Sequence, residues 1–233
     1  MPIKPETAPW SKVRERYRFV DELANLRDSV KGAGNLERFD YWLNTYRAMA
    51  SMAEAACLRG ELDKATPDQV SALRTELARV WEKMLGFEIA AASTPGEFGT
   101  IANLEQHNRK RLHFLEAYGE APALSDVYSG PARIIVPTVR TLLANGEAFR
   151  LKIIALDREP VKCVDLYWRP MGKGRFRMIV ADPVGRAVYS VNLPPAASDM
   201  EYYIRVETSQ GKELFWPPTA PSLNQTVICW TSA

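Results

Sequence analysis

Histidine and cysteine are scarce in this chain. Among 233 residues there are two histidines, His107 and His113, and three cysteines, Cys57, Cys163 and Cys229. Nucleophilic catalysis needs a base beside the nucleophile, most often His. Two histidines six residues apart on one helix point to different faces and cannot share a metal. No CxxC, HExxH or HxH spacing occurs, so a zinc site is not expected. An odd, sparse cysteine set is not a disulfide framework. Cys163 and Cys229 lie in strand-like runs where a pair remains open, but free Cys is commonly a small buried residue, and that is the reading adopted. Charge of one sign is lacking too: 30 basic against 28 acidic residues leave a net charge of +2. With no basic stripe, nucleic acid is not an expected partner. No apolar run approaches the ~20 residues of a membrane helix, so no membrane partner is expected. "MPIKPETAPW" holds no apolar signal core. A native start at Met1 would imply the cytoplasm; a longer parent protein would leave the location open.

What is present divides near residue 122. Before it the apolar residues recur with a helical period; after it they alternate in short runs separated by turn residues. This predicts an α+β chain with a helical domain over 1–122, a linker over 123–131 and an all-β domain over 132–233.

Four helices are expected. The first runs from Ser11 to about Val30, with Val13, Tyr17, Val20 and Ala24 on one stripe and Phe19, Leu23, Leu26 and Val30 on the next. The second spans Gly32 to Gly60, where Leu36, Phe39, Leu43, Tyr46, Ala50, Ala53 and Cys57 repeat at three and four and Gly60 marks the end. It is rich in aromatics, Arg and Asn, and is apolar around so much of its circumference that burial on more than one side is expected. The third starts at Thr66-Pro67 with Gln69 completing a capping box, and carries Val70, Leu73, Leu77, Val80, Met84 and Phe87. The fourth follows "STPGEFGT", with Leu104, Leu112 and Leu115 inward. Short connections predict an up-and-down antiparallel bundle.

Eight strand-like runs follow: "ARIIVP", "EAFRLKIIAL", "KCVDLYWRP", "RFRMIVAD", "AVYSVNLP", "MEYYIRVET", "KELFWP" and "QTVICW". Seven or eight such strands over ~100 residues predict an immunoglobulin- or fibronectin III-like β-sandwich. Alternation puts Val164, Leu166 and Trp168 in the core with Asp165 and Tyr167 outside. It likewise puts Tyr202, Ile204 and Val206 inside with Tyr203 and Arg205 outside. Trp216 falls at a strand end, where a ring can be exposed.

Phosphate binding finds no support, since "GKGRF" is a hairpin turn between strands. Paired carboxylates are the remaining route to hydrolysis, and a glycosidase needs two in a cleft. Glu37 with Asp40, and Glu97 with Glu105, have suitable spacings, but solvated helices and caps produce the same spacings, and no catalytic residue is assigned. Exposed aromatic planes with Arg alongside suit sugar rings instead. Tyr167, Tyr203, Trp216 and Arg205 are therefore the candidate carbohydrate contacts.

Two segments carry a resemblance. Val164, Leu166, Tyr167, Trp168, Arg169, Phe176, Tyr189, Leu193, Pro194, Glu201, Tyr202 and Tyr203 follow the pattern of immunoglobulin/fibronectin-like modules of large secreted bacterial proteins. "VKGAGNLERFDYWLNTYRAMASMAEAACLRGELDKA" with "STPGEFGTIANLEQHN" resembles a C-terminal accessory region of bacterial polysaccharide-degrading enzymes, agarase-like glycoside hydrolases among them. No catalytic carboxylate of those enzymes maps onto the chain, and no cofactor or metal is implied. The resemblance implies a non-catalytic module that binds polysaccharide or braces an upstream catalytic domain, outside the cell or in the periplasm. The alternatives are a fragment that forms part of a glycan active-site wall, and a purely structural interaction module.

Overall fold

Thr66 opens the longest well-capped helix. Its side chain takes the Gln69 N–H, and Gln69 returns a bond to the Thr66 N–H at 3.1 Å. This satisfies two of the donors that a helix start leaves unpaired. In the computed structural model of the chain, which describes residues 3–110, 127–195 and 197–230, helices and strands segregate along the sequence. The helices are α1 (Trp10–Val13), α2 (Arg18–Leu26), α3 (Ala33–Leu62), α4 (Pro67–Ala91) and α5 (Pro95–Asn103). Ten strands follow: β1 (Arg133–Ile135), β2 (Leu142–Ala144), β3 (Ala148–Leu156), β4 (Cys163–Pro170), β5 (Arg177–Val180), β6 (Asp182–Gly185), β7 (Val188–Pro195), β8 (Met200–Glu207), β9 (Glu213–Trp216) and β10 (Gln225–Trp230). The chain is α+β and forms two compact units. One is helical; the other holds all the strands from Tyr128 onward, together with Gly32–Gly34 and Ser93–Pro95.

In the helical unit, Ala55, Leu58 and Leu62 of α3 meet Leu77, Ala78, Val80, Trp81 and Met84 of α4, with Ile3 and Leu104 closing the cluster. The buried line along α3 is Ala48, Ser51, Ala55, Leu58 and Leu62. The expected stripe holds only in part: Leu43 and Cys57 are fully buried, but Tyr46, Ala50 and Ala53 are only half-buried. Part of the buried line is made of small residues, which hydrophobicity alone does not mark. Gly60 is the clearest case. It does not end the helix, which runs on to Leu62. A Cβ at Gly60 would stand 1.8 Å from the Glu6 carbonyl oxygen, where the N-terminal segment crosses and the Glu6 N–H bonds the Ala56 carbonyl at 2.8 Å.

Two other helical expectations change. The run from Ser11 to Val30 is not one helix; 3₁₀ turns at Arg14–Tyr17 and Arg27–Ser29 break it, and only Val13 and Val20 are buried. Phe19 and Leu26 are exposed instead. Trp42 of α3 is 54% exposed, but the expected burial on more than one side holds, since Ala55 and Cys57 lie on opposite sides of the helix and both are buried. The fourth helix gives way after Asn103 to a π-helical turn over Leu104–Lys110. His113, Leu112 and Leu115 lie outside the described residues.

In the strand unit, all eight expected runs are strands, and β2 and β6 are two short additions. The smaller sheet has the order β1-β3-β7-β6. The larger has the order β2-β10-β8-β4-β5, with β9 also on β8. Pairing is antiparallel except between β10 and β2. One core serves both sheets: Phe149, Leu151, Ile153, Val191 and Leu193 from the smaller, and Val164, Leu166, Tyr202, Ile204, Val206 and Val227 from the larger. Phe149 and Tyr202 meet edge to face across it at 5.1 Å, a favoured aromatic geometry. The chain passes from one sheet to the other at Ala181, which is buried and bonds the Val164 carbonyl at 2.8 Å. Gly146, Gly172, Gly174 and Gly211 hold positive φ at the turns, the backbone region that glycine enters without cost.

Candidate functional site

Strict alternation on β4 and β8 decides which residues face away from the core. Their register pairs Asp165 with Arg205, Tyr167 with Tyr203, and Arg169 with Glu201 on the outer face. Val164, Leu166, Tyr202, Ile204 and Val206 face inward and are buried, as alternation requires. Trp168 also turns inward, half-buried, with the Arg177 guanidinium 5.3 Å from its ring.

An aromatic cluster occupies the centre of the outer face. Tyr167 and Tyr203 are directly opposite, and their rings stack at 4.8 Å with planes 1° apart. Phe176 meets Tyr203 edge-on at 5.0 Å, and Phe215 lies 6.3 Å from the same ring. The Arg169 guanidinium sits over Phe176 at 4.2 Å, within the range of a cation–π contact. On β5, Met178 and Val180 extend the apolar surface and are more than half exposed. Burial raises the Tyr203 hydroxyl's pKa, the neighbouring Tyr167 adds to this, and Arg205 works against it.

Charges frame the cluster in two groups. In the first, the Arg205 guanidinium lies 3.5 Å from Asp165, 3.4 Å from Glu213 and 4.0 Å from Glu207. Asp165 faces out as expected, yet it is 5% exposed, because Arg205 covers it. Lys162 bonds Glu207 at 2.8 Å and holds that carboxyl below its ordinary range. In the second group, Glu201 accepts bonds from Arg169 at 2.8 Å, the Gly172 N–H at 3.1 Å and Asn224 at 2.9 Å. Burial pushes the Glu201 carboxyl up, but these three donors outweigh it and the pKa ends below its ordinary value.

The four candidate contacts therefore separate. Tyr167, Tyr203 and Arg205 come together on this face. Trp216 does not: it pairs with Ile204, packs against the core and stacks on Tyr202 at 5.9 Å. The neighbouring Phe215 takes the outward position, because Trp216 sits in register with a core residue. Phe176 and Met178 were missed by sequence reasoning. Their signal was weak, since the loop before β5 leaves the parity of its residues undefined.

Of the paired carboxylates, Asp40, Glu97 and Glu105 are engaged by other groups. Asp40 is held by Arg27 in a two-bond contact at 2.7 and 2.8 Å. Glu105 accepts from the Trp81 indole N–H and from Arg109, each at 2.6 Å. Glu97 approaches Tyr41, whose hydroxyl is raised by burial first and by this carboxylate second. All three cysteines are free; Cys57 is buried, and Cys163 and Cys229 are half-buried. Cys163 is thus not a core residue but part of the outer face, 3.5 Å from Asp165. Among the described residues no group of three or more His, Cys, Asp or Glu side chains could hold a metal. Among them, no helix is long and apolar enough to cross a membrane.

No known protein family matches the chain, and no curated protein matches it. A solved structure of the twitchin kinase region from C. elegans is similar at 12% identity and a TM-score of 0.29. That alignment covers 86% of this chain and 42% of that one, so the chain spans less than half the length of that structure.

Proposed function

We infer that the chain is a non-catalytic accessory module of a polysaccharide-degrading glycoside hydrolase, and that the outer face of the larger sheet braces a catalytic domain. The observation that carries this reading is the state of the aromatic cluster. A sugar site needs open ring faces and polar groups free to bond hydroxyls. Here Tyr167 and Tyr203 turn their faces to each other. Arg205, Arg169 and Glu201 are already engaged with protein groups. A surface of Tyr, Phe, Met and Arg with paired charges at its margin has the composition of a protein interface.

In this reading the strand unit is an immunoglobulin- or fibronectin-like sandwich. Its shared core and the sheet switch at Ala181 support that. The helical unit is an antiparallel bundle, supported by the core common to α3 and α4. The module works outside the cell or in the periplasm, where polysaccharide substrates are.

The test uses the full chain. Retention on insoluble agarose, xylan and cellulose is measured beside the melting temperature of a catalytic domain encoded in the same gene. The expected result is no retention, no release of reducing sugar by the chain alone, and a higher catalytic-domain melting temperature when the chain is present. Tyr167→Ala with Tyr203→Ala should weaken that association at least about tenfold, because truncated aromatic anchors cost 1–2 kcal/mol or more. Retention that the double substitution abolishes would replace bracing with glycan binding. A gene with no catalytic region, together with no retention, would leave a structural interaction module.

A further inference from the structure

We propose that β5 is an open strand edge that pairs with β5 of a second copy of this chain, joining two larger sheets antiparallel across a two-fold axis. A free edge offers unpaired N–H and C=O groups, and proteins normally blunt it. The other edges of this unit are blunted. On β2, the Ala144 N–H bonds the Glu147 carboxylate at 3.0 Å, and the Ala144 carbonyl accepts from the Glu147 N–H at 3.0 Å. β1 has three residues and lies between Pro131 and Pro137. β6 contains Pro183 and a bulge before Gly185. β9 opens on Glu213, which pairs with Arg205, and runs into Pro217.

β5 is also short and also opens on a charge, but it carries neither proline nor bulge, and among the described residues no turn or side chain bonds its outward backbone groups. It reads Arg-Met-Ile-Val, without proline, and its one charge, Arg177, lies over the Trp168 ring. Its hydrogen-bond parity is defined. The Ala181 N–H bonds the Val164 carbonyl, and the register runs Leu166↔Ile179 and Trp168↔Arg177. In an antiparallel ladder the bonding residues alternate. Arg177, Ile179 and Ala181 therefore bond β4, while Met178 and Val180 present their backbone groups to the free edge. Among the described residues nothing bonds those groups.

The edge complements itself. A two-fold axis at Ile179 sets Met178 opposite Val180 of the second copy, twice. Both residues carry edge-facing groups, so the two pairs form hydrogen-bonded pairs of the ladder. Their side chains lie on the outer face, next to Tyr167. Arg177 falls opposite Ala181 of the second copy, so no like charges meet. A four-residue edge makes a small interface, and the dimer is accordingly weak and concentration-dependent.

The test is sedimentation equilibrium of the full chain over a concentration series, with melting temperature as the control for folding. Wild type should dimerise. Met178→Lys with Val180→Lys puts ammonium groups opposite each other at both pairs and should weaken the dimer about tenfold, since like charges directly opposite on paired strands are destabilising at each of the two pairs. Met178→Glu with Val180→Lys puts opposite charges at the same pairs and should retain it. Hydrogen exchange at the Met178 and Val180 amides should slow as concentration rises. A wild type that stays monomeric at its highest soluble concentration would overturn the proposal. So would a dimer indifferent to the double-lysine variant, or equal loss in both double variants.

Discussion

The two sheets of the strand unit share a core but differ on their outer faces. On the smaller sheet, Arg150 stands opposite Asn192 and Lys152 opposite Ser190, a polar surface that water can solvate. On the larger, the corresponding positions hold Tyr167, Tyr203 and Phe215, with Met178 beside them. Both sheets meet the demands of folding through the same inward residues. Folding alone would have been served by polar residues on either outer face. The aromatic face is therefore the part of the unit that folding does not explain, and the place to look for recognition.

This comparison can be broken or sharpened by substitution. The largest effect is expected in the common core: Phe149→Ala should lower stability by ~3–5 kcal/mol, because it removes a fully buried ring and leaves a cavity. Chemical denaturation of the full chain reads this directly. Next comes Glu201. Its replacement by Ala leaves Arg169 and Asn224 without their acceptor and should cost about 2–3 kcal/mol. The same carboxylate gives a pH dependence with a definite sign. Its folded pKa lies below the unfolded value, so its contribution is complete above the unfolded value and is lost as pH falls through the folded one. Melting temperature should therefore fall on acidification, and less so in Glu201→Gln. A smaller effect belongs to the aromatic face. Tyr167→Ala should cost ~0.5–1.5 kcal/mol, the worth of a cross-strand aromatic pair. A loss as large as that of Phe149→Ala would show the face to be core and remove the case for recognition. Smallest of all, Lys152→Ala on the smaller sheet should stay within about 0.5 kcal/mol of wild type. If it instead weakened binding of a partner, the functional face would be the other one.

Much of this was legible beforehand in the strand unit and less in the helical unit. A strand has two faces, so one buried residue sets the orientation of every other. Val164, Leu166 and Ile204 identified the inside, and Tyr167, Tyr203 and Arg205 followed as the outside. A helix surface is continuous, and several stripes compete. The stripe expected for α3 placed Leu43 and Cys57 correctly but ran through Tyr46 and Ala50, whereas packing selected Ala48, Ser51 and Ala55 between them.

By itself the sequence determined the order of helices before strands, the eight main strands, the capping box at Thr66 and the facing of β4 and β8. These are local consequences of periodicity and backbone chemistry. Only the tertiary structure decided that Trp216 turns to the core, since its facing depends on the register of β9 against Ile204. Only there does Gly60 stop being a helix end and become the point where Glu6 crosses α3. The closing of the Tyr167 and Tyr203 faces on each other, and the covering of Asp165 by Arg205, also belong to that level. Each depends on which residues stand opposite across a strand pair. That is a relation between distant segments, and no local pattern encodes it.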